Sequence, residues 1–584
     1  MQQHWVNRAL PRLLFGPDGR RRKAVWRLLF RADDGRMILP FRRLLFKKSG
    51  MTRPFIAPDL SEALKAPAMA AWIARHDTPG PDDLARLDQS AGQLPPVLLR
   101  IEHDPASPAD LQRLAEALDA LAGLRLRRAL RLPATAPAGL HADLAARLGA
   151  SADPADARPR TGEVMVVVGT GTLPRPHGPR LLVDALCAAP GMALAYADTV
   201  DLDGDGLPVR PWFKPRFSPH LAARGMLIGR MAALDPARAS PAMAEAEAGL
   251  AAQLDRIALR LPPGAIAHVP HILSCDEIPR SPPSPEILPP LPDPLPPVSV
   301  IIPTRDGWPL LGPCLASLAT TDWPRDRFEV IVVDNGSTGA ECLAGLAAAE
   351  AAGQIRVLRD DRPFNFARLN NEAVAAARGT LLVFLNNDTV ARQDDWLKLL
   401  ARHALQPGIG AVGPKLLYGD GSVQHGGVVL GINRGAAHAH LGLPADAPGY
   451  AGLALVTHEV SAVTGACLAV TRQAFTAAGG FDEAFAVAFN DVVLCCDLLG
   501  QGYRNLYLAE PLFFHFESRT RGPAVSAEKR AREEAEAEGF RQRHPGLYAA
   551  DPNYSPNLSL ETCHATLVPP RRTARWRQEA GTGG

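Results

Sequence analysis

The sequence predicts an α/β protein built twice, two mostly parallel sheets with their helices in tandem, joined by a proline-rich linker. Three observations carry this. Short β-branched runs alternate with helical patterns through most of the chain, which is the signature of α/β layers. The pattern also repeats: GEVMVVVGTGTL from Gly162 aligns without gaps on GTLLVFLNNDTV from Gly379, and the same offset of 217 carries Pro190-Gly191 onto Pro407-Gly408. Between the copies, ten of the nineteen residues 279–297 are proline. Such a run forms neither helix nor sheet ladder and behaves as a stiff polyproline spacer. At 584 residues the chain is in any case too long for one core.

The elements follow in order. Residues 1–60 read as a basic amphipathic arm in which Arg-Leu-Leu-Phe recurs at 12–15, 27–30 and 43–46. Residues 1–53 carry 14 Lys/Arg against 3 Asp/Glu, a local +11, while the rest of the chain carries −9. The net charge of +2 is therefore a cancellation. Leucine and phenylalanine between arginines suit the headgroup layer of an anionic membrane surface, and no nucleic-acid-binding module accompanies them. Residues 90–278 form the first unit, 279–297 the linker, 298–560 the second unit, and 561–584 a basic flexible tail. Leu94-Pro95-Pro96-Val97 with its following strand parallels Leu295-Pro296-Pro297-Val298 with VSVIIPT. No apolar stretch reaches the ~18 residues of a spanning helix, and no signal peptide is evident. Eight cysteines without a CxxC argue against a disulfide framework or zinc module. The expected setting is cytoplasmic, peripheral at the inner face of the membrane through the arm.

Candidate chemistry lies in the second unit. VSVIIPT (298–304) reads as a buried strand ending at Thr304, Arg305 and Asp306, and EVIVV (329–333) ends at Asp334-Asn335-Gly336-Ser337. Ligands of open α/β sheets bind beyond the carboxyl ends of strands. Taken alone, Asp-Asn-Gly-Ser is an ordinary turn. Neither GxGxxG nor GxxxxGK[ST] is present, so glycine amides do not hold a diphosphate here, and a metal is the usual substitute. LLVFL (381–385) runs into Asn386-Asn387-Asp388-Thr389, a modest hard-cation site. Asn490-Asp491 opens a helical run, where an aspartate is also an ordinary N-terminal cap. His515 follows aromatic residues and precedes Glu517, Ser518, Arg519 and Arg521. That order suits a metal ligand followed by phosphate contacts. His425, His438 and His440 read as loop histidines.

VSVIIPT, VVDNGS, FLNNDT, VSAVTGACLAV, GGFDEAFAVAFNDVVLC and HFESRTRG, in that order, resemble the family 2 glycosyltransferases with the GT-A fold, closest to a bacterial rhamnosyltransferase-like branch. The resemblance covers about 298–560. It implies that Asp306 and Asp334 contact nucleotide, that Asn386 and Asp388 are the ends of the DxD metal motif, that Asp491 is the catalytic base and that His515 is the later metal ligand. Thr304, Arg305, Asn335, Asn387, Asn490, Arg519 and Arg521 fall in the implied substrate site. Asn386 replaces a carboxylate, and Asp497 stands where relatives carry a basic residue. Mg²⁺ or Mn²⁺ at Asp388 and His515 would offset charge on the leaving diphosphate. Arg519 and Arg521 would add hydrogen bonds to it. A single base with no second carboxylate nucleophile implies inversion.

The first unit also resembles a GT-A glycosyltransferase, through YADTVDLDGDG and FKPRFSPHLAARGMLIGR, with its chemistry gone. Gly169 and Gly171 stand for Asn386 and Asp388, Leu254 for the base and Cys275 for the metal histidine. Asp198, Asp201, Asp203 and Asp205 form a rival carboxylate cluster that reads better as a solvated turn. The expected function is inverting, metal-dependent transfer of a sugar from a nucleotide-sugar donor to a glycan or lipid-linked glycan acceptor. The alternative is an inactive glycan- or nucleotide-binding scaffold.

Overall fold

In the computed structural model, which describes residues 66–577 except 108, 134–135, 137–138, 244–248, 517–526 and 563–564, two sheets succeed one another along the chain. The basic arm assigned to residues 1–60 lies outside the described residues.

The first sheet holds β1 (Val97–Glu102), β2 (Leu126–Arg131), β3 (Val164–Val168), β4 (Thr172–Pro174), β5 (Leu194–Leu202), β6 (Pro208–Trp212), β7 (Met231–Leu234) and β8 (Ile266–Asp276). Its order is β2-β1-β3-β7-β5-β8-β4, with β6 paired to β5. The second begins with β9 (Val298–Thr304), β10 (Phe328–Asp334), β11 (Arg356–Arg359), β12 (Leu381–Leu385), β13 (Thr389–Ala391) and β14 (Ile409–Leu417). It is completed by β15 (Val423–His425), β18 (His458–Val460), β19 (Cys467–Thr471) and β20 (Arg504–His515), while β16 (Val428–Leu430) and β17 (Ala436–His438) pair apart from it. Its order is β11-β10-β9-β12-β19-β14-β20-β13. Leaving out β11, the two orders superimpose strand for strand. Directions agree too: β7 and β19 each run antiparallel to both neighbours, and β5–β8 and β14–β20 are each parallel.

The near-continuous apolar strands have a simple cause. Successive side chains of a strand point to opposite faces, and here both faces are covered. Val298, Val300, Ile302, Val330, Val332, Leu381, Val383 and Leu385 feed one buried cluster. Their sequence neighbours Ile301, Ile331, Val333, Leu382 and Phe384 feed the other.

Residues 279–297 contain no helix or strand. They are nevertheless docked: Leu291 and Leu295 pack on the second core, Glu286 pairs with Arg224 at 3.3 Å, and Arg402 donates to the Pro289 carbonyl at 2.7 Å. Each unit thus grips the linker. The units also meet directly. Tyr450, from the loop before β18, donates to the Pro211 carbonyl and accepts from the Phe213 N–H (3.0 and 2.9 Å). Glu459 of β18, 3% exposed, accepts from His220, Ser218 and Arg504.

Within 561–584, expected as a flexible tail, the described residues contact the first unit. Arg572 pairs with buried Asp77 and donates to His271, and Trp576 is buried against the first unit. Arg572 finds a buried carboxylate and the Trp576 indole an apolar face, and both anchor the described part of the segment on the first unit. No helix among the described residues is long and apolar enough to cross a membrane.

Candidate active site

Strand pairing brings the candidate cation ligands together. Thr389 of β13 sits opposite His515 of β20 in the antiparallel register, so Asp388, one residue earlier, falls beside the imidazole. His515 Nε2 lies 3.2 Å from Asp388 Oδ1 and 3.4 Å from the Asn386 amide nitrogen. Both ring and carboxylate are buried, 4% and 6% exposed. Neither Asp388 Oδ1 nor His515 Nδ1 makes a hydrogen bond among the described residues. A buried carboxylate oxygen left without a donor is costly unless a ligand takes it up. A hard carboxylate oxygen beside an imidazole nitrogen, with the Asn386 side chain next to them, fits Mg²⁺ or Mn²⁺.

Asp491 is delivered to the same place by backbone. It is the second residue of the helix Asn490–Gly500, where its Oδ1 accepts from the Val492 N–H at 2.9 Å. Its Oδ2 accepts from the Gly465 N–H at 2.7 Å, and the next residue, Ala466, accepts from the Asn386 N–H at 3.0 Å. Two consecutive residues ahead of β19 therefore tie the aspartate to the Asn386–Asp388 turn. Each carboxylate oxygen retains a lone pair for a hydroxyl. Asn490 is buried and caps locally, accepting from the Asp491 N–H.

The other predicted residues divide. Thr304 and Asn387 join, the Asn387 amide donating to Thr304 Oγ1 at 2.9 Å. Gly307 lies against them so closely that a Cβ there would stand 2.7 Å from the Asn387 amide nitrogen. Asp306 is an exposed residue with φ +46° whose Oδ1 accepts from the Thr338 and Gly339 N–H groups at 2.8 and 2.7 Å. Those bonds hold its carboxyl below the usual range and tie the β9 and β10 loops together. Asp334 accepts from the Ser337 N–H and pairs with Arg359, and Asn335 donates to the carbonyls of Asp360 and Arg362. Arg305 is exposed at the end of β9. Arg519 and Arg521 lie outside the described residues.

One aromatic went unread in the sequence. Phe366 begins the helix Phe366–Ala376, capped by Asn365, and its ring and the Asp491 side chain both lie 3.5 Å from a Cβ built on Gly465. Asn before an aromatic at a helix start was the available signal. His425 and His438, expected in loops, end β15 and β17 instead, and His425 is buried with its Nδ1 2.7 Å from His438 Nδ1.

The first unit keeps the frame and loses the groups. Its Gly169 N–H donates to the Arg230 carbonyl at 2.9 Å, as Asn386 does to Ala466. Thr172 sits opposite Asp276 as Thr389 sits opposite His515, so Asp276 and not Cys275 occupies the histidine position. Ala251, second in the helix Leu250–Leu259, and not Leu254, occupies the position of Asp491. The space is filled as well. A Cβ on Gly171 would lie 2.5 Å from Ile278, and one on Gly169 would lie 2.7 Å from Ala251. Glu102 spends its carboxylate on the Leu250 and Ala251 N–H groups. In the acidic cluster, Asp198 accepts from Lys214 and Asn557, Asp201 pairs with Arg210 and Arg280, and Asp203 closes its own turn.

The chain also has relatives among known proteins. Residues 299–475 match the family described as Glycosyl transferase family 2. An uncharacterized protein of Sinorhizobium fredii, y4gI, is 42% identical over 277 residues, 47% of this chain and 30% of its own. The O-antigen biosynthesis protein RfbC of Myxococcus xanthus is 32% identical over 443 residues, 68% of this chain and 34% of its own. The N-acetylglucosaminyl-diphospho-decaprenol L-rhamnosyltransferase of Mycobacterium tuberculosis is 28% identical over 274 residues, 43% of this chain and 86% of its own. The chain spans about a third of the length of the first two relatives. Residues 299–475, within the second α/β unit, thus carry a glycosyl transferase family 2 domain.

Proposed function

We propose that the second unit transfers a sugar, with inversion, from a nucleoside-diphosphate donor to a hydroxyl of a glycan or lipid-linked glycan in the assembly of a cell-surface polysaccharide. The observation that carries the reading is the unsatisfied Asp388 oxygen beside His515, linked through Gly465-Ala466 to the carboxylate of Asp491. Asp388 and His515 are the residues that would hold Mg²⁺ or Mn²⁺, with the Asn386 side chain beside them. Such an ion, when bound, offsets negative charge on the diphosphate. Asp491 takes the proton of the acceptor hydroxyl, and its helix N-terminus with the Gly465 N–H orients the carboxylate for that step. Thr304 and Asn387 line the donor side. Arg305 and, outside the described residues, Arg519 and Arg521 supply positive charge to the phosphates.

The names of the relatives support the substrate class: O-antigen biosynthesis for one, and for another a rhamnosyl transfer onto a diphospho-decaprenol. The first unit, by this reading, is non-catalytic and braces the second. Residues 1–53 attach the enzyme to an anionic membrane surface on the cytoplasmic side, where a lipid-linked acceptor would lie.

Asp491→Asn tests the reading. The variant is expected to fold and to show the wild-type thermal shift with UDP, dTDP or GDP in the presence of Mn²⁺, and to lose transfer by about 10²–10⁴-fold. Full turnover in that variant sinks the assignment. No Mn²⁺-dependent shift with any nucleoside diphosphate or sugar nucleotide in the wild type favours the inactive scaffold instead.

A further inference from the structure

Asp491 is aimed by its neighbour Phe489, and Phe489 is held in an unusual conformation. Its φ is +59° and ψ 0°, in the left-handed region that residues other than glycine rarely enter. Because Phe489 immediately precedes the helix Asn490–Gly500, its dihedrals decide the direction in which the first turn, carrying Asp491, leaves the loop. Something outside the loop must keep it there.

The helix Ala527–Arg543 does so through three side chains. The Glu536 carboxylate, on a residue only 7% exposed, accepts from two consecutive amides just before Phe489: Val487 N–H to Oε1 at 3.2 Å and Ala488 N–H to Oε2 at 2.6 Å. Phe540, fully buried, stacks its ring on Phe489 with centroids 5.6 Å apart and planes at 17°. Gly435 lies against the tip of the Phe489 ring, where a Cβ would come within 2.9 Å. Arg543 then pairs with Asp482 ahead of the loop (3.2 Å) and Asp497 in the helix beyond it (3.1 Å), and His544, the next residue, adds a contact to Asp497 at 3.3 Å. Asp497 thus has two basic partners, at the last residue of this helix and the one after it.

We propose that Glu536 and Phe540 are positioning residues for Asp491, holding the strained 487–489 backbone so that the carboxylate reaches both Gly465 and the acceptor hydroxyl. This deepens the reading of Asp491 as the base and rests on it. A helix with one buried carboxylate on two loop amides acts as a clamp on that loop. In sequence the helix follows directly on 517–526, which carries Arg519 and Arg521, so the clamp and the proposed phosphate contacts share one stretch of chain.

The test uses the full chain with Glu536→Ala, Glu536→Gln, Phe540→Ala and, as reference, Asp491→Asn. Release of nucleoside diphosphate from UDP-, dTDP- and GDP-sugars with Mn²⁺ gives kcat and KM, and hydrogen exchange measures the amides of 484–494. Glu536→Ala is expected to lower kcat about 10- to 100-fold, the scale of a small misplacement of a reacting group, with sugar-nucleotide KM within about twofold of wild type. Exchange at 487 and 488 should rise while the strand amides stay protected. Glu536→Gln keeps one acceptor oxygen and should recover part of the loss. Wild-type kcat in Glu536→Ala with Asp491→Asn inactive overturns the proposal alone. An active Asp491→Asn overturns the base reading beneath it. Should Glu536→Ala fail to fold, Glu536→Gln decides. Unchanged exchange at 487 and 488 in the variant that folds overturns the clamp whether or not any donor turns over.

Discussion

Asp388 and Asp334 look alike in the sequence, each an aspartate at the end of an apolar strand, and their surroundings make them opposites. Asp334 is consumed by Arg359 and the Ser337 N–H, whereas Asp388 keeps a buried oxygen with no donor among the described residues. An unsatisfied buried acceptor costs on the order of 1–3 kcal/mol, and a cation removes that cost. Asp388→Asn and His515→Ala should therefore abolish the Mn²⁺-dependent rise in melting temperature, while metal-free stability stays level or improves. Differential scanning fluorimetry with and without Mn²⁺ and GDP, UDP or dTDP reads both. Residue types and order pointed to this pair. Only the Thr389–His515 register makes Asp388 and His515 neighbours, because 127 residues separate them along the chain.

At the scale of elements, the duplication was legible and its register was not. The phrase HVPHILS places Cys275 at the metal histidine, yet the strand pairing puts Asp276 there. Both strand pairs shift register at corresponding points, Ala197–Thr199 and Pro414–Leu416, but the chain leading to β20 is longer than the one leading to β8, so only the pairing places the residue. The same pairing explains why the first unit has lost its site by filling as well as by substitution. Gly171 has φ +71° with Ile278 against it, so Gly171→Ala meets both backbone strain and a clash. A loss of about 1–3 kcal/mol is expected from the shift of the urea midpoint. By the same token, Gly171→Asp should not create a cation site, and thermal shift with Mn²⁺ in an Asp388→Asn background would check it.

Across the whole molecule, the contact between units is built on titratable groups. Burial alone would raise the Glu459 carboxyl, but the His220 charge and the hydrogen bonds from His220 and Ser218, with Arg504, bring it down to about 2. Its contribution is present above the unfolded value near 4.3 and is lost as pH falls toward 2. Burial, with the nearby His220 and Arg402, lowers His403 to about 4, and its Nε2 makes no hydrogen bond among the described residues. Folding with His403 neutral is favoured above its unfolded value near 6.5 and penalised as pH falls toward 4, by about 3 kcal/mol in all. Thermal melts should therefore lose stability in two acid stages, 6.5 to 4 and then below 4.3. His403→Gln should remove the first stage, and Glu459→Gln the second. Because Tyr450 and Val456 of the second unit pack into the first, the two units should melt together in calorimetry, and a chain lacking residues 66–278 should expose that apolar face and aggregate.

The sequence by itself determined the two-unit α/β plan, the apolar strands buried on both faces, and the residue types of the site, since periodicity and strand-end chemistry are local properties. Tertiary structure alone decided which polar groups remain free to act. Asp306 and Asp334 are spent on loops, Asp388 and His515 are joined through register, and Asp491 is tied to Gly465 while Glu536, 45 residues on, holds the loop before it. Hydrogen-bond satisfaction depends on partners distant in sequence, and no local pattern records them.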